Sequence, residues 1–248
     1  MATIVFFHAH PDDEAIFTGG TMVELARRRH RVVLVVATAG ELGSGRENPV
    51  ELAAQRKTET LASADVLGIH RVEFLGYGDS GMAGDLANER PSSFVNANDD
   101  EAAGELARLL AEESASALVV YDDQGVYGHP DHIKVHRVGE LAASLANTRT
   151  VYWGTIDGEY LHFVEEHLVD QARDPSQRRS AVGVPTVLIT NTVDVRAHVD
   201  LKRAAIAAHV SQVQEASAAL TMSPVDFAAV YGHEWYVRQG PPGPIDEL

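Results

Sequence analysis

The strongest constraint on the fold is a short apolar run that stops abruptly at a polar cluster. Residues Thr3 to Phe7 are β-branched and aromatic with no polar interruption, and His8 to Glu14 then read H-A-H-P-D-D-E. An unbroken apolar run of this length is typical of a strand buried on both faces of a parallel sheet. In open α/β sheets, ligands bind at the carboxyl ends of the strands, so the polar cluster predicts a site at that edge.

The chemistry of this cluster favours a site over a simple acidic helix start. His10 and Asp13 are three residues apart at a predicted strand-to-helix turn, so both can point at one metal, and the neighbouring Asp12 is left over as a base. The alternative is an acidic first turn, in which carboxylates meet the positive end of the helix dipole.

Apolar runs of the same kind recur along the chain and alternate with helical patterns. Further buried strands are predicted at 31–37, 71–75, 117–121 and 150–154. This alternation predicts an α/β fold: a Rossmann-like, mostly parallel sheet with helices on both faces and the active site at the C-terminal edge of the strands. The length fits one domain over 1–248, with 1–147 as the Rossmann-like core and 148–248 completing the sheet and the substrate pocket.

The C-terminal part has weaker patterns. Residues 186–194 alternate like a half-buried strand, and 196–220 have the apolar spacing of one long amphipathic helix. A last strand is predicted at 231–238, whereas the polar stretch 159–179 predicts a flap or irregular helices. The tail at 240–248, G-P-P-G-P-I-D-E-L, is expected to be flexible.

The composition narrows the classes of function. A formal net charge of -16 disfavours nucleic acid and anionic membrane surfaces as main partners, because it repels polyanions. The chain has no cysteine and 12 histidines, so its available metal ligands are histidine and carboxylate. The turn after the first strand has no glycine, which disfavours dinucleotide binding. Without a signal peptide or an apolar run of ~18 residues, we expect a cytoplasmic protein with no membrane insertion.

A second polar cluster follows the strand predicted at 117–121. It reads Y-D-D-Q-G-V-Y-G-H-P-D-H and precedes a predicted helix. His129 and His132 are three residues apart within it, so a helical turn would place them on the same side. Two strand ends therefore each offer histidine beside carboxylate.

Together, the two clusters resemble the PIG-L/LmbE-like zinc-dependent N-acetylglucosaminyl de-N-acetylase family, and the resemblance covers most of the chain. The matching segments are A-H-P-D-D-E at 9–14, G-E at 40–41, G-D-S-G-M at 78–82, G-H-P-D-H at 128–132 and K-R-A-A-I-A-A-H-V-S-Q at 202–212. The resemblance implies one zinc per chain, with iron as an alternative in vivo, bound by His10, Asp13 and His132. It also implies a small-molecule amino-sugar conjugate as the substrate, as in mycothiol-pathway deacetylases and amidases.

The same resemblance implies roles for further residues. Asp12 would be the general base. As nearby groups that can donate, His129 as imidazolium and the Tyr127 hydroxyl are the candidate donors to the oxyanion. Whether His129 or Asp12 protonates the departing amine stays open. Arg56 and Asp79 would contact substrate hydroxyls, with the capping of a turn as the alternative for Asp79.

Other polar residues near the motifs have two interpretations each. Asp131 either holds a histidine in one tautomer or serves as an acid at a helix start. Glu14 either orients a ligand or neutralises charge at its helix start. His8 is either an outer-shell group of the site or a structural histidine, and His209 and His233 either reach the site from the C-terminal half or pack and form hydrogen bonds. The structural interpretation is preferred for all three.

These features predict a metal-dependent hydrolase that removes an N-acetyl group from an N-acetylglucosaminyl-type conjugate. An alternative within the family is an amidase that cleaves a larger acyl amide, such as a mycothiol S-conjugate. An alternative of another class is a non-catalytic or nucleotide-binding Rossmann-like protein, which the fold alone permits. A homo-oligomer is compatible with the sequence, which does not decide the assembly.

Overall fold

The sheet of this protein is mostly parallel and contains the predicted strands. A computed structural model describes residues 1–43, 47–167, 182–212 and 217–248. The strands described there are β1 (Thr3–His8), β2 (Arg31–Thr38), β3 (Arg71–Tyr77), β4 (Ala117–Tyr121), β5 (Thr150–Thr155), β6 (Asn191–Asp194) and β7 (His233–Gln239). They form one sheet in the order β3-β2-β1-β4-β5-β7-β6, in which β1 to β5 are parallel and β7 is antiparallel to β5 and β6. The predicted α/β fold is confirmed.

Helices cover both faces of this sheet. In the described ranges they are α1 (Gly19–Arg27), α2 (Pro49–Leu67), α3 (Asp99–Glu112), α4 (Gly125–Gly128), α5 (Pro130–Ala146), α6 (Gly158–His167), α7 (Val199–Ala208), α8 (Ser217–Thr221) and α9 (Pro224–Tyr231). In β1, Ile4 and Phe6 belong to one core cluster, whereas Val5 and Phe7 belong to the other. All four side chains are fully buried. The run in β1 is unbroken because a strand covered on both faces has no solvent-facing position for a polar residue.

The strands β1 and β4 are neighbours at the point where the strand order reverses. Their register pairs Ile4 with Ala117 and Phe6 with Val119. The chain leaves β1 towards β2 on one side, while β4 lies on the other side. In open α/β sheets this reversal leaves a crevice outside the carboxyl ends of the two strands. The two polar clusters follow these strands, so the topology brings them to one crevice.

The prediction of one long helix over 196–220 is wrong. Instead, α7 ends at Ala208, a 3-10 turn follows at Val210–Gln212, and α8 is separate. The chain leaves the helical path at His209, whose φ of -80° and ψ of 64° are not helical. The strand expected over 186–194 is confined to β6. Of the stretch 159–179, the structure describes the part that belongs to α6, and the rest lies outside the described residues.

The C-terminal tail is ordered by packing, so the expected flexibility is wrong. Pro244–Glu247 form a 3-10 turn, and the side chain of Ile245 is 2% exposed. The Tyr152 hydroxyl donates a hydrogen bond to Asp246 Oδ2 at 2.6 Å. An apolar side chain and a bonded carboxylate thus contribute to fixing a stretch that contains three prolines. Over the described ranges, none of the helices combines the length and apolarity that a membrane crossing requires.

Candidate active site

A pocket of about 460 Å³ opens at the carboxyl ends of β1 and β4. Residues from both polar clusters line it, and so do residues from the C-terminal part of the chain. From the residues predicted as site residues, the lining contains His10, Asp12, Asp13, Arg56, Asp79, Tyr127 and His129. From the C-terminal part it contains Ile206, His209, Gln212, Ala218, Ala219 and Tyr231. The pocket lining therefore combines residues of the two predicted motifs with residues of the C-terminal part, where the sequence patterns are weaker.

The two ring nitrogens of His10 face two different carboxylates, those of Asp131 and Asp13. His10 Nε2 donates to Asp131 Oδ2 at 3.2 Å, which leaves Nδ1 without the proton when the ring is neutral. Nδ1 then lies 3.4 Å from Asp13 Oδ2. Asp131 is fully buried and also accepts from the backbone N–H of Ser80 at 2.9 Å and from its hydroxyl. These contacts agree with the interpretation of Asp131 as the residue that fixes the tautomer of a histidine.

The imidazole of His132 faces the same carboxylate oxygen from the first turn of α5. Pro130 opens this helix, and His132 Nε2 lies 3.4 Å from Asp13 Oδ2. The ring is fully buried and stacks on the Tyr121 ring, with the centroids 4.1 Å apart. Rotation of the imidazole is therefore restricted by packing as well as by the helix.

The distances from Asp13 to the two histidines match the spacing of ligands around a tetrahedral cation. Two ligands of a tetrahedral site with bonds of ~2.1 Å are about 3.4 Å apart. Asp13 Oδ2 lies at that distance from a nitrogen of each histidine, too far for a good hydrogen bond. Burial raises the pKa of Asp13, but the nearby His132 and His10 more than offset this and hold its pKa well below the usual range. A buried, ionised carboxylate between two imidazoles fits a divalent cation.

Among the described residues, two groups of side chains have donor atoms that are all close enough to one another to hold a metal ion. One group consists of His10, His129 and His132, and the other of His10, Asp79 and Asp131. In the second group, the carboxylates already accept backbone N–H groups, from Ser80 to Asp131 and from Gly81 and Leu42 to Asp79. The first group shares both histidines with the set around Asp13, so the structure contains a potential metal-binding cluster centred on His10 and His132.

Asp12 has a strained backbone and a carboxylate that faces the pocket. Its φ is 92°, a left-handed conformation that costs a non-glycine residue on the order of 1–3 kcal/mol. Burial raises the pKa of the Asp12 carboxyl to about 7, against the opposing effect of Arg56. A carboxyl group that titrates near neutral pH suits a residue that takes up and returns a proton.

Arg56 and Asp79 line the pocket, and each also makes contacts within the protein. Arg56 Nη2 lies 3.1 Å from Asp12 Oδ2 and donates to Pro11 O at 2.5 Å, while Nη1 donates to Gly40 O at 2.7 Å. Asp79 Oδ1 accepts the backbone N–H of Gly81 at 2.8 Å. The turn-capping alternative for Asp79 is thus observed, and contacts of both residues with a substrate remain predictions.

His129 has the geometry of a neutral hydrogen-bond donor. Its Nδ1 accepts the backbone N–H of Asp131 at 3.1 Å, so the proton of a neutral ring is on Nε2. Burial, with the nearby charges of His10 and His132, lowers the pKa of His129 to about 4. The expected imidazolium is therefore disfavoured by this geometry, and a neutral Nε2–H group is favoured.

Tyr127 lies beside His132 in α4, a single short turn whose backbone is not helical at Val126. Its hydroxyl lies 3.4 Å from His132 Nε2, and burial raises the Tyr127 pKa, so the hydroxyl stays protonated. The preceding Val126 is fully buried with a φ of 65° and a ψ of -55°. Asp122 Oδ1 accepts the Val126 N–H at 2.9 Å, and Gly183 N donates to Val126 O at 2.8 Å. These bonds hold the strained loop that presents Tyr127.

Several polar residues near the motifs have structural contacts. His8 is bonded through Nδ1 to the Tyr121 hydroxyl and through Nε2 to Thr18 Oγ1, each at 2.8 Å. His233 packs against Trp235, with the ring centroids 6.1 Å apart, and does not line the pocket. Glu14 is bonded to the ring of His209, a contact between the first motif and a segment almost 200 residues later. The histidine was visible in the 202–212 segment, but no local pattern indicated its partner.

The carboxyl edge of this Rossmann-like sheet carries a histidine and carboxylate donor set and a separate carboxylate. Metal-assisted hydrolysis uses groups of these two kinds. The sequence matches the PIG-L family, described as GlcNAc-PI de-N-acetylase, over residues 5–143. The chain belongs to this family. The predicted family and enzyme class, a deacetylase that hydrolyses an amide bond, are confirmed, and a nucleotide-binding or non-catalytic protein is set aside.

The chain is similar to one sequence relative and to two solved structures that indicate the range of activities found with this sequence and fold. A protein of Thermomonospora curvata named 1D-myo-inositol 2-acetamido-2-deoxy-alpha-D-glucopyranoside deacetylase is 36% identical, over 97% of this chain and 92% of its own. N,N'-diacetylchitobiose deacetylase from Pyrococcus horikoshii has a TM-score of 0.64 at 24% identity, over 96% of this chain and 84% of that one. The 4-carboxy-2-hydroxymuconate hydratase from Pseudomonas putida has a TM-score of 0.60 at 17% identity, over 98% of each chain. A hydratase and a deacetylase share this fold, so the enzyme class follows from the family and not from the fold alone.

Proposed function

We propose that this chain is a zinc-dependent deacetylase that hydrolyses the N-acetyl group of an N-acetylglucosaminyl-type conjugate. One observation carries the metal assignment: Asp13 Oδ2 lies 3.4 Å from both His10 Nδ1 and His132 Nε2. His10, Asp13 and His132 would hold one zinc per chain, with iron as the alternative in vivo. Three protein ligands leave an open position, as a catalytic zinc requires.

Asp12 is the residue we propose as the base. Zinc, when bound, lowers the pKa of water to ~7 and polarises a carbonyl group. The Asp12 carboxylate takes the proton of the attacking water, while the Nε2–H of His129 and the hydroxyl of Tyr127 donate to the amide oxygen as negative charge develops. Because His129 has a lowered pKa, Asp12 is the better carrier of the proton that the departing amine needs.

The pocket supports an amino-sugar substrate. Arg56 and Asp79 line it as charged groups, whereas Ile206 and Tyr231 add apolar surface. A sugar presents hydroxyl groups and an apolar ring face, so both kinds of lining are used. The relative from Thermomonospora curvata is named for an acetamidoglucosyl inositol, and we propose a substrate of that class. A cytoplasmic location and a homo-oligomeric assembly remain parts of the same proposal.

A substrate screen with and without metal tests this proposal. Acetate release and amine release are measured with the acetamidoglucosyl inositol, free N-acetylglucosamine, N,N'-diacetylchitobiose and a mycothiol S-conjugate. We expect the acetamidoglucosyl inositol to react fastest, and we expect chelation to abolish turnover and added Zn²⁺ to restore it. His10→Ala combined with Asp13→Ala should remove about one zinc per chain.

Three results would count against the proposal. Faster cleavage of the mycothiol S-conjugate would favour the amidase. Full turnover after chelation would exclude the metal mechanism, and stoichiometric metal in the double variant would exclude the ligand assignment.

A further inference from the structure

We propose that Glu14 and His209 are positioning residues that hold Asp12 in its left-handed backbone conformation. The inference rests on the role proposed for Asp12 and adds residues that act through it. Glu14 lies two positions after Asp12, whereas His209 comes from the end of α7 in the C-terminal part of the chain.

The backbone of Asp12 needs an external partner to keep its conformation. A φ of 92° is disfavoured for aspartate, so the surrounding contacts must determine it. The Asp12 N–H donates to Glu14 Oε2 at 3.0 Å, which fixes the plane of the peptide between Pro11 and Asp12. On the other side of this peptide, Arg56 Nη2 binds Pro11 O at 2.5 Å. The two contacts hold the peptide from both ends.

Glu14 can act as this partner because its own carboxylate is fixed. The side chain is fully buried. Its second oxygen, Oε1, accepts the Ser63 hydroxyl of α2 at 2.5 Å and His209 Nε2 at 2.7 Å. Three elements therefore meet on one carboxylate: the turn before α1, the helix α2 and the end of α7.

His209 is placed for this contact by the break after α7. The helix stops at Ala208, and the His209 side chain, 1% exposed, turns to Glu14. In a continuous helix over 196–220, His209 would have helical backbone angles instead of those observed. His209 of the C-terminal part thus contacts Glu14, and Glu14 in turn contacts the backbone of the proposed base, Asp12.

Another histidine and glutamate pair at the start of α7 provides a matched control. His198 Nε2 lies 2.6 Å from Glu24 Oε2, and the His198 side chain is 5% exposed. This pair also connects α7 to the helices of the core, but neither residue lines the pocket. Its loss should affect the packing of α7 without affecting Asp12.

The experiment measures kcat, KM and bound zinc with the acetamidoglucosyl inositol for Glu14→Ala, Glu14→Gln and His209→Gln. We expect Glu14→Ala to lower kcat by ~10- to 100-fold, as small misplacements of a reacting group do, with KM and zinc content unchanged within twofold. Glu14→Gln should recover most of the loss, because its amide oxygen can accept the Asp12 N–H while its NH₂ group donates to the Ser63 hydroxyl oxygen and to Nε2 of His209 in its other neutral tautomer. His209→Gln should lose less than Glu14→Ala, and His198→Gln should keep the wild-type kcat.

A double-mutant cycle separates this inference from the role of Asp12. In an Asp12→Ala background, Glu14→Ala should cause no further loss of kcat, because its effect passes through Asp12. An equal loss in both backgrounds would overturn the positioning role, and so would full activity of Glu14→Ala beside an inactive Asp12→Ala. Full activity of Asp12→Ala itself would overturn the base assignment and, with it, this inference. Should Glu14→Ala fail to fold, the same cycle with His209→Gln gives the decision.

Discussion

Asp12 and Asp13 are neighbours in the sequence with opposite electrostatic surroundings. Burial raises the pKa of Asp12 to about 7, with Arg56 opposing, whereas the imidazoles around Asp13 hold its pKa well below the usual range. Paired groups whose environments drive their pKa values apart reveal which one carries protons. Asp13 is therefore suited to permanent ionisation beside a cation, and Asp12 to proton transfer.

Replacement of Asp12 by alanine should separate these two roles. We expect Asp12→Ala to keep its zinc and to lose ~10²- to 10⁴-fold in kcat, the usual contribution of a general base. Turnover and metal content are measured on the same sample. Asp200→Ala, which removes an exposed carboxylate of α7 outside the pocket, is the control and should change neither. Wild-type turnover in Asp12→Ala would contradict the assignment.

At this scale the sequence predicted residues that lie within a motif and missed those that act between distant segments. His10, Asp13 and His132 converge as expected, because two strand ends carry them to one crevice. Ser63 could not be found, because a serine within a helix has no signal that links it to Glu14. The structure also favours a neutral His129 over the expected imidazolium, because the His129 side chain caps α5 by accepting the backbone N–H of Asp131 at Nδ1.

Secondary-structure elements can be predicted from the sequence where burial of apolar side chains alone determines them. The strands β1 and β2 are buried on both faces, so their apolar runs show them directly. The region after α7 has several competing interactions. Its apolar spacing continues past Ala208, but the helix ends there, and His209, the next residue, bonds to Glu14. Periodicity detects a buried face and does not detect a polar contact at the point where a helix ends.

A cluster of charged residues connects the amino ends of β2 and β3 to the C-terminal end of α3. Arg31 of β2 donates to Glu113 Oε2 at 2.6 Å, and Arg71 of β3 donates to Glu113 Oε1 at 2.8 Å. These contacts, with the hydrogen bond from Arg31 foremost, lower the pKa of Glu113 to about 2. Because the pKa is lower in the folded state, ionised Glu113 stabilises the fold above pH ~4.5, and this contribution disappears as the pH falls towards 2.

The variant Glu113→Gln tests this contribution. We expect its free energy of unfolding at pH 7 to fall by about 1 kcal/mol, less than the full pKa shift implies because solvent screens the partly exposed arginines. The difference from the wild type should shrink as the pH falls from about 4.5 to about 2. Urea titrations at several pH values measure it, and Glu112→Gln, at a more exposed partner of Arg71, should have a smaller effect. A difference independent of pH would refute the role of the Glu113 charge.

At the scale of the whole molecule, the buried carboxylate of Glu234 connects the C-terminal part of the chain to the N-terminal part. Lys202 Nζ lies 2.6 Å from Glu234 Oε1, and both residues are at most 2% exposed. Glu234 of β7 also accepts the backbone N–H groups of Gly20 and Thr21, each at 2.8 Å, at the start of α1. A carboxylate there meets the positive end of the helix dipole. This contact supports the prediction of one domain over 1–248.

Breaking this pair should destabilise the entire chain. Lys202→Met leaves Glu234 buried without its cation, and we expect a loss of about 3–5 kcal/mol in the free energy of unfolding. Adding Glu234→Gln should recover part of the loss, since the unpaired charge is removed. Arg196→Met, which breaks the exposed pair with Asp194, is the control and should have a much smaller effect. A single unfolding transition in every variant is expected, and two separate transitions would argue for independent domains.

The distribution of the pocket residues along the chain has an evolutionary consequence. The residues proposed for the reaction come from the turns after β1 and β4, whereas Ile206, Gln212, Ala218 and Tyr231 reach the pocket from segments beyond β5. The proposed catalytic residues and this part of the pocket lining are thus encoded in different stretches of the gene. Exchange of 206–231 between relatives would then retune the choice of conjugate while leaving the hydrolytic apparatus intact, within the limit set by His209, which must still reach Glu14.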